Sequence, residues 1–184
     1  MKNQGIEKII DILGNANERE YIGEPISQLE HALQCAHFAE KCKGTEEVIL
    51  ACLFHDIGHL CAPAGSPEMD GLGIVDHEKI GGEFLQKIGF SDLIIDLVEN
   101  HVQGKRYLCF KNPSYYKQLS PASKGTLDFQ GGPMSEEEAN QYENHEFFEQ
   151  RILVRRCDEM AKKKDLTVAP LEDYVEMMQR HIVR

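Results

Sequence analysis

The sequence predicts an all-α protein, and three observations carry that prediction. Apolar residues recur at three- and four-residue steps through most of the 184 residues, the spacing of one helix face. Capping residues and Pro or Gly stops punctuate these runs at helix-length intervals. No stretch alternates apolar and polar residues for long enough to make a strand.

Ile6, Ile9, Ile10 and Leu13 form the first apolar face, which Gly14 is expected to end. Pro25 suits the first position of a second helix, whose face runs through Ile26, Leu29, Leu33 and Ala36 toward Cys42. Thr45 is the expected cap of a third, with Glu46 and Glu47 in its first turn against the positive end of the helix dipole. Residues 48–54 are apolar on every side, which places that helix at the centre. Asp76 starts a fourth helix to about Lys87, and Ser91 a fifth through Ile94, Ile95, Leu97 and Val98 to His101. Past His101 the pattern loosens at Gly104-Lys105-Arg106. Ser120-Pro121 then restarts a short helix that Gly131-Gly132-Pro133 closes. Ser135 with Glu138 has the form of a capping box, followed by a long helix through Phe148, Ile152 and Asp158. Residues 171–182 make the last element.

The length suits one domain over residues 1–184, since no Pro/Gly/Ser-rich linker divides it. A formal charge of -11 argues against nucleic acid as partner, because neutralising phosphates requires clustered Lys and Arg. A small diffusible substrate is the better expectation. No run of about eighteen apolar residues suits a membrane span, and Met1-Lys2-Asn3-Gln4-Gly5 lacks the build of a signal peptide, so a cytoplasmic location is expected. The six cysteines include no Cys-x-x-Cys pair and read as free thiols of a reducing compartment. The oligomeric state is left open.

The chemistry centres on the doublet His55-Asp56 at the end of the central apolar run. His31 lies one helix earlier, His77 and His101 follow one helix apart, and Asp158 stands near the far end. Singly, each reads as an ordinary polar residue. As an ordered series they make a two-metal site the stronger account. Neighbours on a helix diverge by roughly 100°, close to the angle between adjacent positions of an octahedral ion. Asp56 has an oxygen for each of two cations. Histidine with carboxylate suits iron, manganese, nickel or zinc, and the lack of thiolate ligands argues against structural zinc. His59, one turn after His55, is placed to reach the site without binding metal. His37, His145 and His181 read as polar residues outside it.

The order His31, His55-Asp56, His77, His101, Asp158 resembles the six-ligand set of diiron members of the HD-domain superfamily. Three further segments narrow the likeness: Tyr21-Ile-Gly-Glu24-Pro-Ile-Ser-Gln-Leu-Glu-His31, His101-Val-Gln-Gly-Lys105-Arg-Tyr-Leu, and Leu119-Ser-Pro-Ala-Ser123-Lys-Gly-Thr126-Leu-Asp-Phe-Gln130-Gly-Gly-Pro-Met134. They resemble the mixed-valent diiron oxygenases of phosphonate catabolism, relatives of myo-inositol oxygenase that include enzymes of the 2-amino-1-hydroxyethylphosphonate dioxygenase type. The resemblance implies an HD helical bundle with a buried dinuclear site, Fe(II)/Fe(III), and O2 as cosubstrate. It implies a 1-hydroxyphosphonate substrate cleaved at its carbon-phosphorus bond to a carboxylic acid, glycine or an N-methylated glycine, and inorganic phosphate.

Laid on these residues, it gives one iron to His31, His55, Asp56 and Asp158 and the other to Asp56, His77 and His101. Tyr21 and Glu24 would form a substrate gate, with Glu24 pairing with an ammonium group. Lys105 would meet the phosphonate charge, His59 would line the same pocket, and Ser123, Thr126, Gln130 and Arg155 would be further donors. Two alternatives stand beside this reading: a metal-dependent HD phosphohydrolase acting on a small phosphate ester or nucleotide, and a non-catalytic HD domain that keeps its metal for structure or sensing.

Overall fold

Helix α3 (Glu46–Phe54) is the axis of the structure, and its residues 48–54 are all buried. The other helices are α1 (Lys2–Asn15), α2 (Gln28–Lys41), α4 (Gly58–Cys61), α5 (His77–Ile88), α6 (Asp92–Glu99), α7 (His101–Lys111), α8 (Pro113–Gln118), α9 (Pro121–Phe129), α10 (Glu136–Glu143), α11 (Phe148–Met160) and α12 (Val175–His181). This computed structural model describes residues 2–21 and 23–183, so Met1, Ile22 of the Tyr21–Glu24 motif and Arg184 lie outside the described residues. Among those described there is no strand, only three isolated antiparallel bridges, and the all-α class expected from the periodicity holds.

Helices α2, α6, α11 and α12 pack around α3, while α5 lies against α4 and α6. One apolar cluster runs from Ile6 and Ile9 of α1 through Val48–Phe54 of α3 to Met178 and Ile182. Removing a side chain such as Phe54 or Leu97 from water contributes about 1.5–3 kcal/mol, and both are fully buried. A smaller cluster of Tyr107, Met134, Ala139, Tyr142 and Ile152 joins α7 to α10 and α11, and a third of Cys109, Leu119 and Leu127 seats α9.

Several boundaries differ from expectation. Gly14 stays helical, and α1 ends at Asn15. The start of α2 is set by Ser27 rather than Pro25: Ser27 Oγ accepts from the Glu30 N–H and the Glu30 carboxylate accepts from the Ser27 N–H, a complete capping box. Such a box satisfies two of the free donors at a helix start, which a proline two residues upstream cannot do. His55, Asp56 and Ile57 form a turn between α3 and α4 rather than a continuous helix. His101 opens α7, which continues to Lys111, because Gly104 lets the helix approach the Arg155 Cβ of α11. The capping box at Ser135 is present, but α10 and α11 are separate helices, and residues 171–174 form a 3-10 turn before α12.

Six thiols are free, with Cys35, Cys52, Cys109 and Cys157 buried, as the scattered spacing suggested.

Candidate metal centre and cavity

Four histidines from four segments meet as two pairs, and local backbone geometry aims each ring. His31 Nδ1 lies 2.7 Å from the Ala161 carbonyl oxygen and His55 Nδ1 2.8 Å from that of Cys52. A carbonyl oxygen only accepts, so each Nδ1 carries its ring's proton. The two Nε2 atoms, left with lone pairs, face each other at 3.1 Å. His77 and His101 repeat the arrangement, with Nδ1 donating to Ile74 (3.2 Å) and Val98 (2.7 Å) and Nε2 atoms 3.1 Å apart. With both rings neutral, two lone pairs held this close repel, and a cation against them, metal ion or proton, removes the repulsion. Carbonyl-anchored Nδ1 with Nε2 free is the arrangement in which histidine serves as a metal ligand.

The carboxylates complete the donor set. Asp56 spans the pairs: Oδ2 is 3.2 Å from His55 Nε2 and 3.6 Å from His31 Nε2, while Oδ1 is 3.4 Å from His77 Nε2 and 3.6 Å from His101 Nε2. Asp158 Oδ1 stands 3.4 Å from His31 Nε2 and 3.9 Å from His55 Nε2. It is buried with no hydrogen-bond donor, a cost of about 1–3 kcal/mol that a cation relieves. Burial opposes the charge on both carboxylates, yet His55 holds the Asp56 carboxyl well below its ordinary range and Arg155 does the same for Asp158. Burial also opposes charge on His55, but Asp56 and Asp158 outweigh it and lift the imidazole to about 9. The cluster therefore draws positive charge, a proton if nothing else is present. These residues fit a metal ion at each imidazole pair.

Asp56, His59 and His77 also bring ligand atoms within 4.8 Å of one another. His59 nevertheless differs from the other four rings. Its Nδ1 accepts the Ile74 N–H at 3.0 Å, so its proton sits on Nε2, 4.0 Å from Asp56 Oδ1. Burial and then the neighbouring His77 push its pKa down to about 3. The ring, stacked on His77 at 3.9 Å, is in this arrangement a neutral donor that lines the cavity.

Asp56, His77, His101 and Asp158 border a cavity, and every further residue singled out in the sequence lines it: Tyr21, Glu24, His59, Lys105, Ser123, Thr126, Gln130 and Arg155. Tyr21 stacks on His31 with centroids 3.8 Å apart, and burial followed by Asp56 and Asp158 keeps its phenol protonated. Lys105 Nζ donates to Thr126 Oγ1 at 2.8 Å and the Ser123 carbonyl at 3.4 Å. Burial, then the Arg155 cation, hold Lys105 down at about 7. Arg155 donates to Asp158 and, at 2.7 Å, to Tyr115, and also pairs with Glu159. Ser123 and Thr126 both make local helix bonds as well: the Ser123 N–H caps to Ser120 Oγ and Thr126 Oγ1 donates to the Ser123 carbonyl. His145 and His181 instead face Arg151 and Glu46, away from the cluster.

Sequence reasoning missed Lys162, Gln28 and Tyr115. Lys162 opens the run Lys162-Lys163-Lys164, which reads as a solvated basic stretch, yet its side chain is only 14% exposed and borders the cavity.

A helical bundle carrying a buried His/Asp cage on these segments defines a metalloprotein of HD type. The HD domain model matches residues 29–178, and the chain belongs to the HD-domain family. Relatives within it point further. The chain is 39% identical over 177 residues to 1-hydroxy-2-(trimethylamino)ethylphosphonate dioxygenase (glycine-betaine-forming) of Leisingera caerulea, spanning 96% of this chain and 90% of that protein. It is 37% identical over 157 residues to hydroxymethylphosphonate dioxygenase of Gimesia maris, spanning 85% and 78%. It is also 36% identical over 180 residues to an uncharacterized protein of Acanthamoeba polyphaga mimivirus. No helix among the described residues is long and apolar enough to cross a membrane.

Proposed function

We propose that the chain is a phosphonate dioxygenase that holds two iron ions and converts a 1-hydroxy-2-aminoethylphosphonate-type substrate and O2 to a carboxylic acid, glycine or an N-methylated glycine, and inorganic phosphate. The observation that carries this reading is the make-up of the cavity wall. Beside the imidazole and carboxylate cage it holds the cations Lys105 and Arg155 with hydroxyl groups, and also Glu24, whose Oε1 has no hydrogen-bond donor. That combination of groups suits a phosphonate joined by a short chain to an ammonium group.

His31, His55, Asp56 and Asp158 would hold one ion, and Asp56, His77 and His101 the other. Bound iron would supply Lewis acidity toward the substrate's oxygens and a redox relay through which the substrate's own electrons reach O2. The protein's part is orientation and exclusion of water. Lys105, with Thr126 Oγ1 fixing its ammonium, meets the phosphonate charge. His59 donates from Nε2 to an oxygen bound near Asp56. Arg155 holds Asp158 ionised and in place. Tyr21, parallel to His31, closes the approach to that pair until substrate arrives, and Glu24 receives the ammonium. The residues from Ile6 to Ile182 share one apolar cluster, which supports reading the chain as a single domain.

The test is phosphate release from 2-amino-1-hydroxyethylphosphonate by iron-loaded protein, with and without oxygen. Release that requires O2, with one glycine per phosphate, is expected. Release without oxygen would replace this reading with metal-assisted hydrolysis.

A further inference from the structure

Glu78 follows His77 in the first turn of α5, where a carboxylate suits the positive end of the helix. A carboxylate placed there for that reason alone stays in water, yet Glu78 is only 6% exposed. Glutamate is buried to that extent almost only when it is paired. Among the described residues its one ion-pairing contact runs from Oε2 to His77 Nδ1, at 3.6 Å. The neighbouring Lys79 is exposed and pairs with Asp76 instead. At 3.6 Å the contact with His77 is electrostatic rather than a hydrogen bond, and the Nδ1 proton goes to the Ile74 carbonyl. The ring is neutral by itself and gains positive character only when its Nε2 takes up a cation. The charge of Glu78 lacks its counter-charge until then.

No other ring of the cage is backed in this way. Nδ1 of His31, His55 and His101 meets a carbonyl oxygen at 2.7, 2.8 and 2.7 Å, with no carboxylate beside it among the described residues. The carbonyl behind His77 is the most distant of the four, at 3.2 Å. The same ring belongs to the pair with less negative charge in front of it. Asp56 and Asp158 both reach the Nε2 atoms of His31 and His55, whereas Asp56 alone reaches those of His77 and His101. A carboxylate behind a ligating histidine makes that ring a stronger donor.

We propose that Glu78 is a positioning residue for the metal ion at the His77–His101 pair. Standing behind His77, its carboxylate strengthens Nε2 as a ligand and gives this pair the second negative charge that Asp158 gives the other. The inference rests on the two-ion part of the reading above and is independent of the substrate.

The experiment dialyses full-length protein against graded Mn(II), an ion that histidine and carboxylate accept, and counts bound metal by elemental analysis. Wild type should take up two ions per chain. Glu78→Gln, which keeps the size and removes the charge, should weaken one of them by about 10–100-fold, the usual effect of losing a partner behind a ligand, and leave the other within about twofold. His77→Ala should keep the ion at the His31–His55 pair, and adding Glu78→Gln to it should change nothing further. A residue that served only the packing of α5 would weaken that ion as well. Both ions held as tightly in Glu78→Gln as in wild type, both weakened alike, or a further loss in the His77→Ala background would each overturn the proposal. Where His77→Ala takes up no metal, the comparison of Glu78→Gln with wild type decides by itself. Wild type that saturates at one ion would overturn the two-ion reading, and the proposal with it.

Discussion

Gly58 sits where α4 crosses the start of α5, and replacing it with alanine is the sharpest steric test of the metal cage. A Cβ there would lie 1.8 Å from the His77 carbonyl oxygen, 2.7 Å from its carbonyl carbon and 2.9 Å from the Gly81 nitrogen. All three are backbone atoms, so no side chain can turn aside. Such contacts do not fall below 3.0 Å, and the first turn of α5 must retreat from α4 by at least about 1.2 Å. Metal ligands tolerate displacements of only about 0.2 Å. Asp56 is two residues before Gly58 and His77 opens α5, so the retreat acts directly on the separation of Asp56 Oδ1 and His77 Nε2, 3.4 Å here. Overpacking of this kind costs about 1–3 kcal/mol, a fall of about 3–10 °C in Tm for a domain of this size. Calorimetry and metal analysis on purified protein measure the two effects. Gly14→Ala is the matched control: it lies inside α1 with nothing within 4 Å of the added carbon, and should stabilise by about 0.5–1 kcal/mol. A Gly58→Ala protein that binds as much metal as wild type and melts at the same temperature would refute the steric argument.

Three further outcomes are expected. Ser27→Ala removes the α2 capping box and should cost about 1 kcal/mol in unfolding free energy, measured by denaturant titration; an unchanged midpoint would mean that tertiary contacts, not the cap, hold this end. Asp56→Ala should abolish binding at both imidazole pairs, seen as loss of nearly all metal by elemental analysis; half the wild-type metal remaining would show that the pairs load independently of the bridge. The Lys105 ammonium, held at about 7 by burial and then Arg155, loses its charge in the free protein as pH rises through that value. KM for a phosphonate should therefore climb on the alkaline side in wild type and stay flat in Lys105→Met, and a flat wild-type profile would remove Lys105 from the anion site. For stability the sign is opposite: an unfolded lysine keeps its proton to about 10.5, so this group's drag on folding is full below 7 and fades as pH rises toward 10.5.

Much of the site was legible because its chemistry is carried by unusual residue types in order along the chain. Histidines spaced one per helix, beside a fully apolar helix ending in His55-Asp56, suit a metal cage far better than they suit an ordinary core or a solvated face. The all-helical class was legible for the same local reason, since periodicity is a property of neighbours. What was not legible depends on approach between distant segments. Gly104 lies inside α7, where it lets α11 come close at Arg155, so a glycine that the pattern reads as loosening is a packing contact. Lys162 could not be singled out because the basic run that contains it says nothing of Glu24, far away in sequence. Pro25 is the start that the sequence suggests for α2, and the reciprocal bonds of Ser27 and Glu30 in the folded chain move that start to Ser27.

The histidine anchors carry a consequence for how such a protein diversifies. His55, His77 and His101 each lean on the carbonyl three positions before them, so every ring is steered by its own short stretch of main chain. The part of the wall made by Glu24 and α9 is assembled from other stretches, and exchanging it leaves these three rings pointing where they already point, while His31 is held by the Ala161 carbonyl beside Lys162. One cage can thus be inherited intact while the molecules admitted to it change from lineage to lineage.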